Sequence, residues 1–303
     1  MGGDLLVRGT VALARRFRVP PVVVAATVVG FGTSLPELVV SLRATLTGYP
    51  GLILGNVVGS NIANVLLVGG VSAAVYPLLR EGAAVRRNIV IMMGTTVAFA
   101  AICALGGIGR VAGGVMLGTF VVVLASAAGS TIRAQRDVDT STPLDWVLGL
   151  PNRVRMIVLF LVAGVIMLPL GAQLLVESAV AIASDFEIPE TIVGLTVLAI
   201  GTSLPELTTT VLAAIERRSD VAIGAIIGSN TFNILAIMGV TSTLSPIPIE
   251  VSGRFQYVDV PVMLVTSLML ALFVWKARPI GRRAGIAMVL AYVAYLGTLY
   301  AAV

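Results

Sequence analysis

The seven-residue sequence GTSLPEL occurs twice in this chain of 303 residues, at positions 32–38 and 201–207. The same offset of 169 residues aligns further stretches. These are GSN at 59–61 with GSN at 228–230, Asn64 with Asn233, Thr27 with Thr196, and Pro20 with Pro189. A single unbroken offset over so many positions indicates an internal duplication, so the chain must fold as two similar halves.

The composition places both halves in a lipid bilayer. Hydrophobic residues make up 57% of the chain and charged residues only 12%, whereas soluble domains carry about a quarter charged residues. Since a spanning helix needs about 20 apolar residues, we predict an all-α membrane protein with ten segments. They lie near 4–15, 20–47, 51–78, 86–105, 108–132, 155–183, 189–216, 220–247, 257–276 and 281–302.

A polar stretch in the middle of the chain divides these segments into two groups of five. We therefore predict a first repeat at 1–132, a linker at 133–154 and a second repeat at 155–303. Five is an odd number of crossings, so the second repeat enters the membrane from the opposite side. Inverted repeats of this kind are a common transporter architecture, with the binding site at the repeat interface.

The distribution of basic residues predicts the orientation. Of the 20 Lys and Arg, 16 lie in the odd-numbered connections or at the segment ends beside them, and these include the four arginines of 133–155 in and beside the central linker 133–154. Because basic loops stay in the cytoplasm, we expect this linker inside and both termini outside, in a multi-pass protein of the cell (inner) membrane. The net charge of +5 is thus explained by topology and gives no reason to expect a nucleic-acid partner.

The first segment is unusually short. By the repeat offset, the first-half equivalent of residue 156 would precede Met1. A span of 12 residues is too short for a full crossing, so we expect the N-terminal helix to be truncated.

The repeated motif predicts a broken helix in each half. Proline lacks an N–H group and clashes with the preceding turn, and Pro36 and Pro205 both lie in the middle of apolar segments. A helix break at membrane depth is tolerated only where it lines a cavity or is buried in protein. The motif therefore predicts two clusters of backbone and hydroxyl oxygens at the centre of the molecule.

Glu37 and Glu206 give these clusters their charge. A carboxylate near the bilayer centre costs a few kcal/mol and is functional by default; the alternative is a neutral or cation-paired glutamate. Carboxylates, carbonyls and hydroxyls suit hard cations such as Ca²⁺. With no histidine and one cysteine, a site built for Zn²⁺ or Cu⁺ is not expected.

The segments that follow each motif carry GNVVGSNIAN at 55–64 and GAIIGSNTFN at 224–233. Ser60 and Asn64 are four residues apart and share a helix face, as do Ser229 and Asn233. The glycines of these segments are also spaced by four, and we interpret them as close-packing positions between helices.

With both signature repeats present, the chain resembles the sodium/calcium exchangers of the cation/calcium antiporter superfamily, most closely their prokaryotic members. The resemblance implies ten helices in two inverted halves. It implies a site formed by the second, third, seventh and eighth helices, past which the first and sixth slide. It also implies a transporter rather than an enzyme, with Na⁺ and Ca²⁺ as transported ions and no cofactor. We expect a monomer in the lipid bilayer.

The resemblance also implies individual ligands. Ca²⁺ would be held by Glu37 and Glu206 together with Thr33 and Thr202, the threonines largely through backbone carbonyls. The remaining implied positions are Gly30, Thr33 and Ser60 for Na⁺ on one side, Ala199, Thr202 and Ser229 for Na⁺ on the other, and Asn64 and Asn233 at the middle.

Asn233 is a departure, because some relatives, including potassium-dependent ones, have aspartate there. Asparagine at both middle positions favours potassium-independent exchange, and the GTSLPE motif favours sodium over protons. Two alternatives stay open: a proton- or potassium-coupled exchanger of the same fold, and a cation channel.

Overall fold

The computed structural model describes residues 5, 8, 9, 12, 16, 33–78, 83–134, 151, 153–215, 217, 219–251, 253–276 and 278–300. Most of these residues are helical. The helices are α1 Leu35–Thr47, α2 Pro50–Val75, α3 Ala83–Ala104, α4 Arg110–Ala134, α5 Val154–Asp185, α6 Glu190–Thr202, α7 Leu204–Ile215, α8 219–244, α9 Phe255–Trp275 and α10 Arg282–Tyr300.

Within these described ranges, six helices are long and apolar enough to cross a membrane, and α6 with α7 makes a seventh span bent by 45°. Helix α10, at the last predicted segment, has 19 residues. Most of the first predicted segment, the start of the second and most of the linker 133–154 lie outside the described residues. The prediction of ten crossings is therefore tested only in part.

Two helices form the centre of the molecule. Within an apolar stretch of 18 residues in each helix, 89% of α2 and 78% of α8 is buried, against 11% of α4 and 19% of α5. The outer helices expose large aliphatic side chains, among them Val111, Val122 and Val165. Such exposure is unfavourable in water but suits lipid-facing helices, since acyl chains are as apolar as these side chains.

Glycines allow α2 to approach α6 closely at Gly55 and Gly59, as the spacing predicted, but the prediction is wrong at Gly224 of α8, where a Cβ atom would have nothing within 4 Å. A Cβ atom at Gly55 of α2 would lie 2.6 Å from the Thr191 carbonyl oxygen of α6, and one at Gly59 would lie 2.7 Å from the Ala199 Cβ. The repeat mates Gly70 and Gly239 also allow close contact with a neighbouring helix. A Cβ at Gly70 would meet the Gly285 carbonyl oxygen at 2.8 Å, and one at Gly239 would meet Leu117 Cγ at 2.9 Å.

The central helices are also wound alike. A π-helical turn begins at Asn64 in α2 and another at its repeat mate Asn233 in α8. A third such turn occupies Gly194–Leu198 of α6. A π turn leaves backbone groups outside the regular α-helical ladder and is frequent at functional sites. Each half therefore has such a turn beginning at the equivalent asparagine.

Short contacts join the connections at each end of the bundle. At one end, β1 Gly107–Ile108 pairs antiparallel with β2 Ile249–Glu250. At the other end, Leu78 forms an isolated bridge with Ile280. The prediction of an all-α chain missed the small sheet, because two-residue strands are too short to show a period-two pattern.

Candidate cation site

Ser203 separates two helices within the second copy of the motif. Helix α6 ends at Thr202 and α7 begins at Leu204, with Pro205 in its first turn. The break occurs here because Pro205 cannot donate the next helical hydrogen bond and its ring clashes with the preceding turn. In the first copy, α1 begins at Leu35 with Pro36 in the equivalent position. Both motifs thus place a glutamate in the first turn of a new helix.

Both glutamates are buried at the interface of the two halves. Glu37 is 0% exposed and Glu206 is 2% exposed. Ser34 Oγ donates a hydrogen bond to Glu206 Oε1 at 2.8 Å, and Ser203 Oγ donates one to Glu37 Oε1 at 3.4 Å. Each serine lies three residues before its own glutamate and bonds the glutamate of the other half. The two copies of GTSLPEL therefore interlock and bring the carboxylates into one site.

The threonines of the motif follow the same crossed pattern. The Thr33 side chain faces the Glu206 carboxyl, and the Thr202 side chain faces the Glu37 carboxyl. The family resemblance implied that the threonines act largely through their backbone carbonyls. In the structure their hydroxyl groups also lie beside the carboxylates.

Residues of α2 and α8 close the site. Asn64 Nδ2 donates to Ser229 Oγ at 3.0 Å and to Asn230 Oδ1 at 3.1 Å. Ser229 Oγ lies 2.7 Å from Ser34 Oγ and 3.4 Å from Glu206 Oε1. These bonds join Asn64 of the first half to Glu206 of the second through one serine hydroxyl.

Several buried oxygens at this site have no hydrogen-bond partner among the described residues. They are Glu37 Oε2, Glu206 Oε2, Ser60 Oγ, Asn64 Oδ1 and Asn233 Oδ1, and Asn233 Nδ2 is unpartnered as well. Because nearly all buried polar atoms in proteins are hydrogen-bonded, so many unpartnered atoms in one region indicate a ligand site. The unpartnered atoms are all oxygens apart from the Asn233 amide nitrogen. Oxygen ligands suit Na⁺ or Ca²⁺.

The implied ligands differ in how far the structure supports them. Glu37, Glu206, Thr33, Thr202, Ser229 and Asn64 come together through the contacts above. Ser60 and Asn233 are buried and form no side-chain hydrogen bond with the residues that the structure describes. The Ala199 carbonyl accepts the Ser203 N–H at 3.2 Å, so its oxygen is partly engaged. Gly30 lies outside the described residues.

Sequence reasoning missed one buried residue of this region. Asn56 of α2 is 0% exposed and accepts a hydrogen bond from Thr202 Oγ1 at 3.1 Å. Its amide also donates to Glu37 O at 3.3 Å and to Ser41 Oγ at 2.9 Å. A signal existed in the sequence, since an asparagine between Gly55 and Val57 interrupts an apolar run.

Comparison with known proteins places this site in context. The family profile described as "Sodium/calcium exchanger protein" matches residues 1–128 and 156–301. The inner membrane protein YrbG of Escherichia coli is 34% identical over 300 residues, covering 98% of this chain and 92% of YrbG. The sodium/calcium exchanger MaX1 of Methanosarcina acetivorans is 29% identical over 332 residues, covering 99% of this chain and 94% of MaX1.

A similar fold has been solved. A structure of the sodium-calcium exchanger NCX_Mj, soaked with Na⁺ and Sr²⁺, has a TM-score of 0.70 and 31% sequence identity to this chain. The match covers 98% of this chain and 93% of NCX_Mj. The likeness therefore extends over both halves of the chain as well as the two motifs.

Proposed function

Because this chain belongs to the sodium/calcium exchanger family, we propose that it exchanges Na⁺ for Ca²⁺ across the cell membrane by alternating access. The proposal rests chiefly on one observation: two buried glutamates, one from each half, each with one oxygen that has no hydrogen-bond partner in the described part of the chain. Helical spans, a central broken helix and a site of oxygen donors suit this function. No step of it requires a covalent reaction, in keeping with a family of transporters.

The architecture we propose is ten membrane helices in two inverted repeats, 1–132 and 155–303, joined by the linker 133–154. Exchanged contacts support it. The sheet joins the α3–α4 connection to the α8–α9 connection, and the Leu78–Ile280 bridge joins the α2–α3 connection to the α9–α10 connection. The α3–α4 connection is the repeat mate of the α9–α10 connection, and the α2–α3 connection is the mate of the α8–α9 connection. Exchanging the halves therefore converts one pairing into the other, as a pseudo-two-fold axis in the membrane plane requires. The packing roles of the mates Gly70 and Gly239 agree with it.

We assign the cargo to the centre of this arrangement. Glu37 and Glu206 would bind Ca²⁺ with oxygens of Thr33 and Thr202, and Asn64 and Asn233 would lie at the middle. Na⁺ would bind on either side, and those positions are Gly30, Thr33 and Ser60 in one set and Ala199, Thr202 and Ser229 in the other. The unpartnered oxygens of Ser60 and Asn233 support their inclusion.

Charge compensation explains why exchange would be coupled. Two ionised carboxylates without a counter-charge are costly in a dry cavity, so an empty carrier crosses slowly. One Ca²⁺ or several Na⁺ neutralise Glu37 and Glu206, and the loaded carrier then changes its accessible side. If one net charge moves per cycle, the membrane potential contributes roughly 2.3 kcal/mol per 100 mV.

The experiment is ⁴⁵Ca²⁺ uptake into proteoliposomes preloaded with Na⁺. We expect Glu37→Gln or Glu206→Gln to abolish sodium-driven uptake, because each removes one of the two charges that the cation neutralises. Glu177→Gln is the matched control, since Glu177 is an exposed residue of α5 bonded to Gln173 outside the site. Normal uptake by Glu37→Gln would refute the assignment.

The same vesicles separate the alternatives. Replacing the sodium gradient by a proton or potassium gradient tests the other coupling ions. Uptake that proceeds at the same rate without any counter-ion inside would indicate a channel. We expect uptake only with internal Na⁺.

A further inference from the structure

Asn56 connects the two halves of the site without being one of its assigned ligands. Its Oδ1 accepts the Thr202 hydroxyl of the second half at 3.1 Å. Its Nδ2 donates to the Glu37 backbone oxygen at 3.3 Å and to Ser41 Oγ at 2.9 Å, both on α1. One buried amide therefore holds the end of α6 against the first turn of α1.

The second half has no counterpart of this amide. The repeat offset that aligns Glu37 with Glu206 and Thr33 with Thr202 aligns Asn56 with Ala225. Alanine has no side-chain amide, so residue 225 cannot accept a hydrogen bond from the Thr33 hydroxyl as Asn56 accepts one from the Thr202 hydroxyl. The two sides of the site carry the same threonine and glutamate but differ at this position.

We propose that Asn56 is a positioning residue that makes the two sides of the cation site unequal, by holding Thr202 in place relative to Glu37. The inference builds on the proposed function, because it concerns how the cation ligands are oriented. The consequence is that the Thr202 hydroxyl is held in place before loading by a contact that its repeat mate Thr33 does not obtain from residue 225.

The chemistry of the Thr202 hydroxyl supports this role. A hydroxyl has one proton to donate, and Thr202 Oγ1 lies within bonding distance of both Asn56 Oδ1 and Leu198 O, at 3.1 and 2.9 Å. When the proton points to Asn56, the lone pairs are free to turn toward a cation beside Glu37. Partners that orient the ligands of a metal ion typically contribute about 10- to 100-fold in affinity.

The test is a double-mutant cycle in proteoliposomes. The half-saturating Ca²⁺ concentration and the maximal rate of sodium-driven uptake are measured separately. We expect Asn56→Ala to raise half-saturating Ca²⁺ by about tenfold, with a smaller change in maximal rate. Thr202→Val removes the hydroxyl partner. If Asn56 acts through Thr202, the double variant has less effect than the product of the two single variants.

Ser41→Ala loosens Asn56 without altering either assigned ligand, so it keeps the proposal testable if Asn56→Ala does not fold. We expect it to raise half-saturating Ca²⁺ by a smaller factor, roughly threefold. Ser72→Ala is the control, because Ser72 is equally buried in α2, at 0% exposure, beyond the π turn. It should leave half-saturating Ca²⁺ unchanged.

The outcomes are distinct. The proposal is overturned if Asn56→Ala lowers only the amount of folded protein or the maximal rate, if its effect multiplies independently with that of Thr202→Val, or if Ser41→Ala behaves like Ser72→Ala. Absence of sodium-driven uptake by the unsubstituted protein would remove the proposed function itself. Unchanged half-saturation in an active Asn56→Ala variant would remove only the role of Asn56.

Discussion

At the scale of single residues, Ser34 and Ser203 show that matched sequence does not give matched geometry. Ser34 Oγ lies 2.8 Å from Glu206 Oε1 and 2.7 Å from Ser229 Oγ. Ser203 Oγ lies 3.4 Å from Glu37 Oε1, near the limit of a hydrogen bond. The serine of the first half is therefore the more firmly bound of the two.

This difference predicts unequal effects of two identical substitutions. Ser34→Ala removes a short bond to a charged group, and such bonds contribute about 1.5–3 kcal/mol, so we expect half-saturating Ca²⁺ to change by roughly tenfold or more. Ser203→Ala should change it by less. Calcium-dependent uptake in proteoliposomes measures both, and equal effects of the two variants would contradict the prediction.

The limits of the sequence are also visible at this scale. The glutamates were predicted because repetition and intramembrane charge single them out, whereas the threonines were implied as ligands by the family resemblance. The role of Asn56 was not, since its partners Thr202 and Ser41 are 146 and 15 residues away along the chain and only the packing of α2 against α1 and α6 makes them neighbours. The crossed bonding of each serine to the opposite glutamate has the same origin.

At the scale of elements, the contact of α2 with α6 depends on the absence of side chains. A Cβ atom at Gly55 would lie 2.6 Å from the Thr191 carbonyl oxygen and 2.7 Å from the Gly194 Cα. Both are backbone atoms, so one helix would have to move. Because α6 ends at Thr202, such a movement would also shift the site.

Gly55→Ala is accordingly expected to destabilise the protein by about 1–3 kcal/mol, the usual range for overpacking. The measurement is thermal unfolding of the purified protein in detergent. Gly114→Ala in α4 is the matched control, because nothing lies within 4 Å of a Cβ atom built there and alanine has the higher helix propensity. A lowered melting temperature in the control alone would contradict the argument.

A second contact between elements joins α9 to α10. Asp259, 1% exposed, accepts a hydrogen bond from Tyr295 OH at 3.0 Å and lies 3.5 Å from Arg254 Nε. We expect Tyr295→Phe to lower the free energy of unfolding by about 1–3 kcal/mol, since it leaves a buried acceptor with one partner fewer. Tyr257→Phe, at a tyrosine 76% exposed, should have little effect in the same unfolding assay.

Sequence patterns predicted the elements well where they are long and apolar. The bounds of α2, α4, α5 and α9 lie within a few residues of the predicted segments. The π turns at Asn64 and Asn233 were not predicted, because apolar periodicity gives no signal for a local change in winding.

At the scale of the whole molecule, the contacts sort the connections into two groups. Arg110 Nε donates to Ser245 O, and Gln256 Nε2 donates to Ala104 O, at the end that carries the small sheet. Ser219 Oγ donates to Pro77 O at the other end. The basic-residue distribution assigned these same two groups to outside and inside respectively, so contact and charge agree on which connections share a side.

The orientation itself is a prediction that labelling can test. Cys103 is the one cysteine of the chain, so Cys103→Ser gives a cysteine-free background. In intact cells we expect a membrane-impermeant maleimide to label Leu105→Cys, at a position 86% exposed, but not Lys276→Cys until the cells are opened. The reverse pattern would mean that the linker 133–154 lies outside.

The pairings at the two ends of the bundle have a consequence for how such a molecule can move. Each joins a connection of one half to a connection of the other. Backbone pairings at both ends of the bundle therefore hold six helices together as one frame: α2, α3, α4, α8, α9 and α10. A frame of this kind cannot swing open like a hinge without breaking backbone pairings. Among the described residues, α5 takes part in neither pairing and its surface is largely exposed, so we expect a change of access that moves α5 along this frame to leave both pairings intact.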